Sequence, residues 1–200
     1  MANMDFVRAF IAVDLSLEVQ RGLEAVLGQL QQALRGDTVR WVPPRNMHLT
    51  LKFLGDVSIK NLDQIKAILA AEANLHDAFD IHVGGLGAFP SIRRPRVIWV
   101  GVQAPDVLGQ LQHEVDMQTA RLGYPQEERK FSPHLTLGRV GRNASSEETG
   151  KIAKVLSDSK VGELGTARIA EVHLYRSDLN PQGAVYTRLY TAPFKTSTIT

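Results

Sequence analysis

Two copies of one tetrapeptide, His48-Leu49-Thr50-Leu51 and His134-Leu135-Thr136-Leu137, constrain this 200-residue chain more than any other feature. In an extended strand successive side chains point to opposite faces, so each copy sets an imidazole and a hydroxyl on one side and two leucines on the other. The leucines are expected in a core and the His-Thr pairs in a cleft. A lone His on a strand is more often a satisfied structural residue than a catalyst. Two identical copies shift that balance.

The copies sit inside a longer recurrence. Phe6 to Leu15 reads as a largely buried strand. Leu17 to about Leu34 reads as an amphipathic helix ending near Gly36, with Leu23, Val26, Leu27, Leu30 and Leu34 at three- and four-residue steps and Asp14 or Ser16 as its cap. Val39 to Val42 is a short strand stopped by Pro43-Pro44, and Met47 to Leu54 is the first motif strand, closed by Gly55-Asp56. Asn61 to Leu75 is a second helix and Phe79 to Val83 a strand that runs into Gly84-Gly85-Leu86-Gly87. Ala88 to Arg96 reads as an exposed basic loop.

The pattern then starts again. Val97 to Val102 is a buried strand, Pro105 to Leu122 a helix, Phe131 to Val140 the second motif strand and Ser146 to Leu156 a helix. Arg168 to Ser177 and Val185 to Ala192 are closing strands joined by a turn at Asn180 to Gly183. The motifs lie 86 residues apart, and the first strands and second helices recur at nearly the same offset. The expectation is one bilobal domain over residues 1–200, with repeats of about 6–87 and 96–192. Each repeat is a strand-helix-strand-helix-strand lobe, related to the other by an approximate two-fold, with the motif strands central and both His-Thr pairs facing one groove.

The chain has no cysteine, which excludes disulfides, thiolate zinc sites and a cysteine nucleophile. Met1 to Asp5 show no basic region leading into an apolar run, and no window approaches 18 apolar residues, so a soluble cytoplasmic protein is expected. A net charge of +2 is too small for a general nucleic-acid coat and adequate for a local anionic site.

Two histidines across a cleft suit a reaction in which one proton leaves a nucleophile while another reaches a leaving group, because imidazole titrates near neutral pH. The threonine hydroxyls are short donors for non-bridging phosphate oxygens. Lys52, two residues beyond Thr50, shares its face in a regular strand, with a solvated surface charge as the plainer alternative. Arg139 has the wrong parity, and reaches the cleft only if Gly138 permits a bulge or the strand ends there.

These residues resemble the 2H phosphoesterase superfamily, and within it the RNA 2',3'-cyclic phosphodiesterases, also called 2'-5' RNA ligases, of the LigT/ThpR type. The resemblance covers nearly the whole chain: Phe10-Ile-Ala-Val-Asp-Leu15, Asn46 to Gly55, Pro95 to Val100, Pro133 to Arg139, Leu174-Tyr-Arg-Ser177, Gly183 and Tyr186. It implies an α+β fold of two pseudo-symmetric lobes, each a mainly antiparallel sheet with helices on its outer face and a central cleft between the sheets. It also implies metal-independent hydrolysis of a cyclic phosphate at RNA 3' ends to a 2'-phosphate; no cofactor and a monomeric protein are expected. By carry-over His48 is the proton donor and His134 the proton acceptor, Thr50 and Thr136 hold the phosphate, and Arg139 contacts it. Sequence symmetry alone does not say which histidine is acid and which is base. The same geometry acting on a 5'-hydroxyl instead of water gives 2'-5' ligation; a non-catalytic RNA-end or nucleotide-binding module, and a phosphodiesterase of a small cyclic nucleotide-derived substrate, are the alternatives.

Among the aromatic residues, Phe53 shares parity with Leu49 and Leu51 and is expected in the core, and Trp41 is undecided. Phe89, in the same loop as Arg93, Arg94 and Arg96, is the best candidate to stack on a base while those arginines follow RNA phosphates, with a plain solvated basic loop as the equal alternative. Tyr124 and Tyr186 are favoured for core or rim roles. His76, His82, His113 and His173 have no companion motif and read as surface or structural residues, and Asp14 and Asp56 as cap and turn residues. Neither motif brings the third ligand that a zinc or iron site needs.

Overall fold

The computed structural model describes residues 5–180 and 183–195. Four helices hold the outer faces of two antiparallel sheets. The strands are β1 (Phe6–Val13), β2 (Val39–Trp41), β3 (Leu49–Ser58), β4 (Phe79–Ser91), β5 (Arg94–Gln103), β6 (His134–Val140), β7 (Glu163–Ile169), β8 (Glu171–Asn180) and β9 (Gly183–Pro193). The helices are α1 (Leu17–Ala33), α2 (Leu62–Ala73), α3 (Asp106–Ala120) and α4 (Ser146–Asp158). One sheet has the order β3-β1-β8-β9 and the other β2-β6-β5-β4-β7.

Local sequence explains the helix ends. Ser16, not Asp14, caps α1, its hydroxyl accepting the Val19 N–H at 3.3 Å, and Gly36 takes up the left-handed conformation (φ 111°) just beyond the end. The α1 stripe Val19, Leu23, Val26, Leu27 and Leu30 is buried. It packs on β7, where a side chain at Gly22 would stand only 2.9 Å from the Leu164 Cβ. A reciprocal Ser145–Glu148 capping box starts α4. Helices α2 and α3 cover the first sheet and α1 and α4 the second, and apolar residues from both sheets and all four helices form a continuous core.

Several boundaries differ from expectation. The segment from Ala88 to Arg96 is not a loop: β4 continues through the glycine run to Ser91 and pairs with β5 as a hairpin. The ladder skips Gly85, whose φ of 74° supplies the irregularity. Gly87 is required because the Trp99 ring lies where its Cβ would be. Likewise β3 runs through Gly55-Asp56 to Ser58, and two strands, β7 and β8, occupy the region read as one. Of the turn expected at Asn180 to Gly183, Pro181 and Gln182 lie outside the described residues.

The lobes also do not coincide with segments 6–87 and 96–192. In the first sheet the motif strand β3 pairs with β1, and β1 pairs with β8 from the second half of the chain. In the second sheet β6 pairs with β5, and β5 pairs with β4 from the first half. Each lobe therefore takes its third strand from the opposite half. Nor are both motif strands central, since β3 is an edge strand and β6 is flanked by β5 and β2.

Candidate active site

Both motif strands bulge at the same place. On β3, Thr50 pairs with Ala12 and Lys52 with Ile11, so Leu51 is skipped. On β6, Thr136 pairs with Trp99 and Gly138 with Ile98, so Leu137 is skipped. An extra residue reverses the parity of everything after it. Before the bulge His48 and Thr50, like His134 and Thr136, are partly exposed, while the intervening leucines are buried.

After the bulge the expectations invert. Lys52 is buried, and its ammonium binds the Asp116 carboxylate and the Pro125 carbonyl instead of a substrate. Phe53, expected in the core, is 59% exposed. Arg139 is exposed as well, brought to the face of Thr136 by the bulge at Leu137 and not at Gly138. Gly138 serves packing: a Cβ there would meet Trp41 and Val39 of β2 at 2.8 Å, and this contact places Trp41 against the core.

The imidazoles are oriented alike. In each copy Nδ1 lies against the carbonyl two residues back, Asn46 at 3.2 Å for His48 and Ser132 at 2.7 Å for His134. With Nδ1–H donating there, Nε2 is the nitrogen left for chemistry. Their surroundings differ. His48 stands over Phe10, Tyr175 and Tyr186 with ring centroids 6.2, 4.7 and 5.7 Å away, and its Nε2 is 3.7 Å from Asp14 Oδ1. Burial pushes its pKa below the usual histidine value, and the Asp14 carboxylate offsets part of that. His134 meets the edge of Phe89 at 4.9 Å and Trp99 at 6.3 Å.

The two sheets approach each other along β3 and β6. Burial raises the pKa of the Tyr186 hydroxyl, while Arg139 from one sheet and Arg8 from the other both lower it. Arg139 thus lies close enough to the His48 wall for its charge to be felt there. Among the described residues no group of three or more His, Asp or Glu side chains is arranged to hold a metal ion, and no helix is long and apolar enough to cross a membrane.

Comparison with known proteins agrees with this duplicated arrangement. The model of the family described as LigT like Phosphoesterase matches twice, over residues 13–99 and 100–186. The chain belongs to the LigT-like phosphoesterase family. It is 37% identical to the RNA 2',3'-cyclic phosphodiesterase of Methanothermobacter thermautotrophicus over 183 residues, covering 90% of this chain and 95% of that one. Similarity to the protein of the same name from Thermotoga maritima is 33% over 94% of this chain and 96% of the other. Among solved structures, E. coli LigT complexed with 3'-AMP aligns with a TM-score of 0.73 and 26% identity over 96% of this chain and 99% of its own. A protein of Thermus thermophilus aligns with a TM-score of 0.75 and 28% identity, over 95% and 99%.

In this LigT-like phosphoesterase the surroundings of His48 include residues that the sequence reading did not single out. Asp14, read there as a cap or turn residue, accepts the Tyr175 hydroxyl at 2.6 Å, is bound by Arg188 and lies 3.5 Å from the Nε2 of His173. His173 is fully buried, with Nδ1 3.0 Å from the Thr191 hydroxyl. Burial lowers its pKa, partly offset by Asp14. Only alternation along β1 hinted at this role, since Arg8, Phe10, Ala12 and Asp14 share parity. Tyr124, by contrast, is a buried residue whose hydroxyl accepts a hydrogen bond from Asn61. Phe89 lies on β4, half-buried against His134, and Arg93 and Arg94 are exposed at the tip of the β4–β5 hairpin.

Proposed function

We propose that this chain hydrolyses a terminal 2',3'-cyclic phosphate on RNA to a 2'-phosphate, without a metal, by acid–base catalysis shared between His48 and His134. The carrying observation is the pair of imidazoles fixed by the same Nδ1–carbonyl bond on duplicated, identically bulged strands. Family membership and relatives named RNA 2',3'-cyclic phosphodiesterase support the substrate.

In this reading the Nε2 of His134 takes a proton from water as the water oxygen attacks phosphorus, and the protonated Nε2 of His48 gives its proton to O3' as the P–O3' bond breaks. The product keeps phosphate on O2' and frees the 3'-hydroxyl. Thr50 and Thr136 hydroxyls donate to the non-bridging oxygens, and Arg139 neutralises their charge. Burial lowers the pKa of His48, and the Asp14 carboxylate beside it offsets part of that lowering, which supports His48 as donor. Phe89 steadies His134, and Arg93 and Arg94 draw in the RNA backbone. A 5'-hydroxyl in place of water attacks the same phosphorus, giving its proton to His134 as the P–O5' bond forms and the P–O3' bond breaks, and so leaves a 2'-5' linkage, while the abundance of water favours hydrolysis. The protein works as a cytoplasmic monomer.

The test is product analysis after incubation with a cyclic-phosphate-terminated oligoribonucleotide in EDTA. A 2'-phosphate end is expected. A 3'-phosphate end, loss of turnover in EDTA, or binding without turnover contradicts the proposal.

A further inference from the structure

A cavity of about 340 Å³ opens beside His48, lined among others by Arg45, Tyr175, Val185, Tyr186 and Arg188. Resting on the reaction proposed above, we infer that this cavity binds the terminal nucleoside of the RNA strand and that Arg45 takes the phosphodiester joining it to the preceding nucleotide. In an in-line displacement the attacking oxygen and the departing oxygen stand on opposite sides of phosphorus. O3' receives its proton from His48, so the ribose that carries O3' lies on the His48 side. The cavity is on that side too, bordered by His48 and not by His134. Water, or a 5'-hydroxyl, enters from the other side.

Size and lining fit this occupant. Ligand pockets run from about 300 to 1,000 Å³, and a volume at the lower end suits one nucleoside and not a length of strand. Half-buried Tyr186 is held edge-on against Phe10 at 4.9 Å and His48 at 5.7 Å, which presents a fixed aromatic ring at the cavity wall. Bases stack on such rings with little regard to identity, so the site accepts any of the four. Asn46 ties the rim together, its side-chain amide donating to the Ala184 carbonyl at 2.7 Å.

The two arginines of the wall are not equivalent. Arg188 is engaged by Asp14 and Tyr175. Arg45 is exposed and makes no hydrogen bond or ion pair among the described residues. A free guanidinium at the rim of a nucleoside-sized pocket is a ready partner for a phosphodiester. Its contact reaches one nucleotide upstream and does not involve the cyclic phosphate.

The experiment compares kcat/KM for adenosine 2',3'-cyclic phosphate, which has no upstream phosphate, with that for the dinucleotide ApA bearing the same cyclic end. The wild-type protein is expected to prefer the dinucleotide. R45A is expected to reduce that preference tenfold or more, while R168A, on the distant β7, leaves it unchanged. Y186A raises KM severalfold for both substrates, and Y186F restores it. An undiminished dinucleotide preference in R45A, or an unchanged KM in Y186A, overturns the site while leaving the reaction standing. Hydrolysis of neither substrate by the wild-type protein overturns the reaction, and the site with it.

Discussion

Asp14 shows how a single side chain can separate two histidines that look equivalent in the sequence. Its carboxylate lies 3.7 Å from the Nε2 of His48 and is steadied by Tyr175 and Arg188. The pKa of His48 is lowered first by burial and raised second by Asp14. A proton donor must be protonated to work, so activity that depends on His48 is lost as pH rises through its pKa. Removing the carboxylate charge lowers that pKa further. D14N is therefore expected to move the alkaline limb of the kcat/KM profile toward acid, measured with a cyclic-phosphate dinucleotide. A limb that stays in place, or moves to higher pH, contradicts the pairing. The sequence hid this because Asp14 and Ser16 both stand where a helix cap is needed, and only packing decides that Ser16 takes the cap.

Among the elements, the motif strands carry the site because each bulges at the leucine after its threonine. The alternation rule read His48, Thr50, Leu49 and Leu51 on their proper faces, because all four precede the disturbance. It failed at Lys52 and Phe53 because a skipped residue in a ladder leaves no mark in composition. The repeat holds a clue that parity arguments ignore. Phe53 and Arg139 occupy the same place after their bulges, 86 residues apart, and the exposed arginine of one copy corresponds to an exposed aromatic in the other.

The inward turn of Lys52 links elements. Its ammonium joins β3 to Asp116 of α3 and to the Pro125 carbonyl, at the start of the segment leading to β6, and Asp116 also accepts the Glu127 N–H at 3.3 Å. Breaking one partner of a buried pair leaves an uncompensated charge. K52M is expected to destabilise by about 3–5 kcal/mol, and K52M/D116L by less than the single change, in urea unfolding. An unaltered midpoint for K52M contradicts a buried, paired lysine.

For the molecule as a whole, the duplication was legible and the way its halves interlock was not. Equal spacing of strands, helices and motifs announces two similar units. Which strand neighbours which depends on pairings across the whole chain, and local pattern says nothing about them; hence β4 and β8 trade sheets unseen. The exchange binds the two sheets through the chain itself, and it brings the two motif strands, β3 and β6, next to each other. The central claim is that the two histidines act on one phosphate as acid and base. It is tested by single-turnover cleavage of a cyclic-phosphate-terminated RNA by H48A and H134A, each with its unfolding midpoint measured alongside. Each variant is predicted to remain folded and to lose about 10²–10⁴-fold in rate; a folded variant of either histidine that keeps more than a tenth of the wild-type rate contradicts the account.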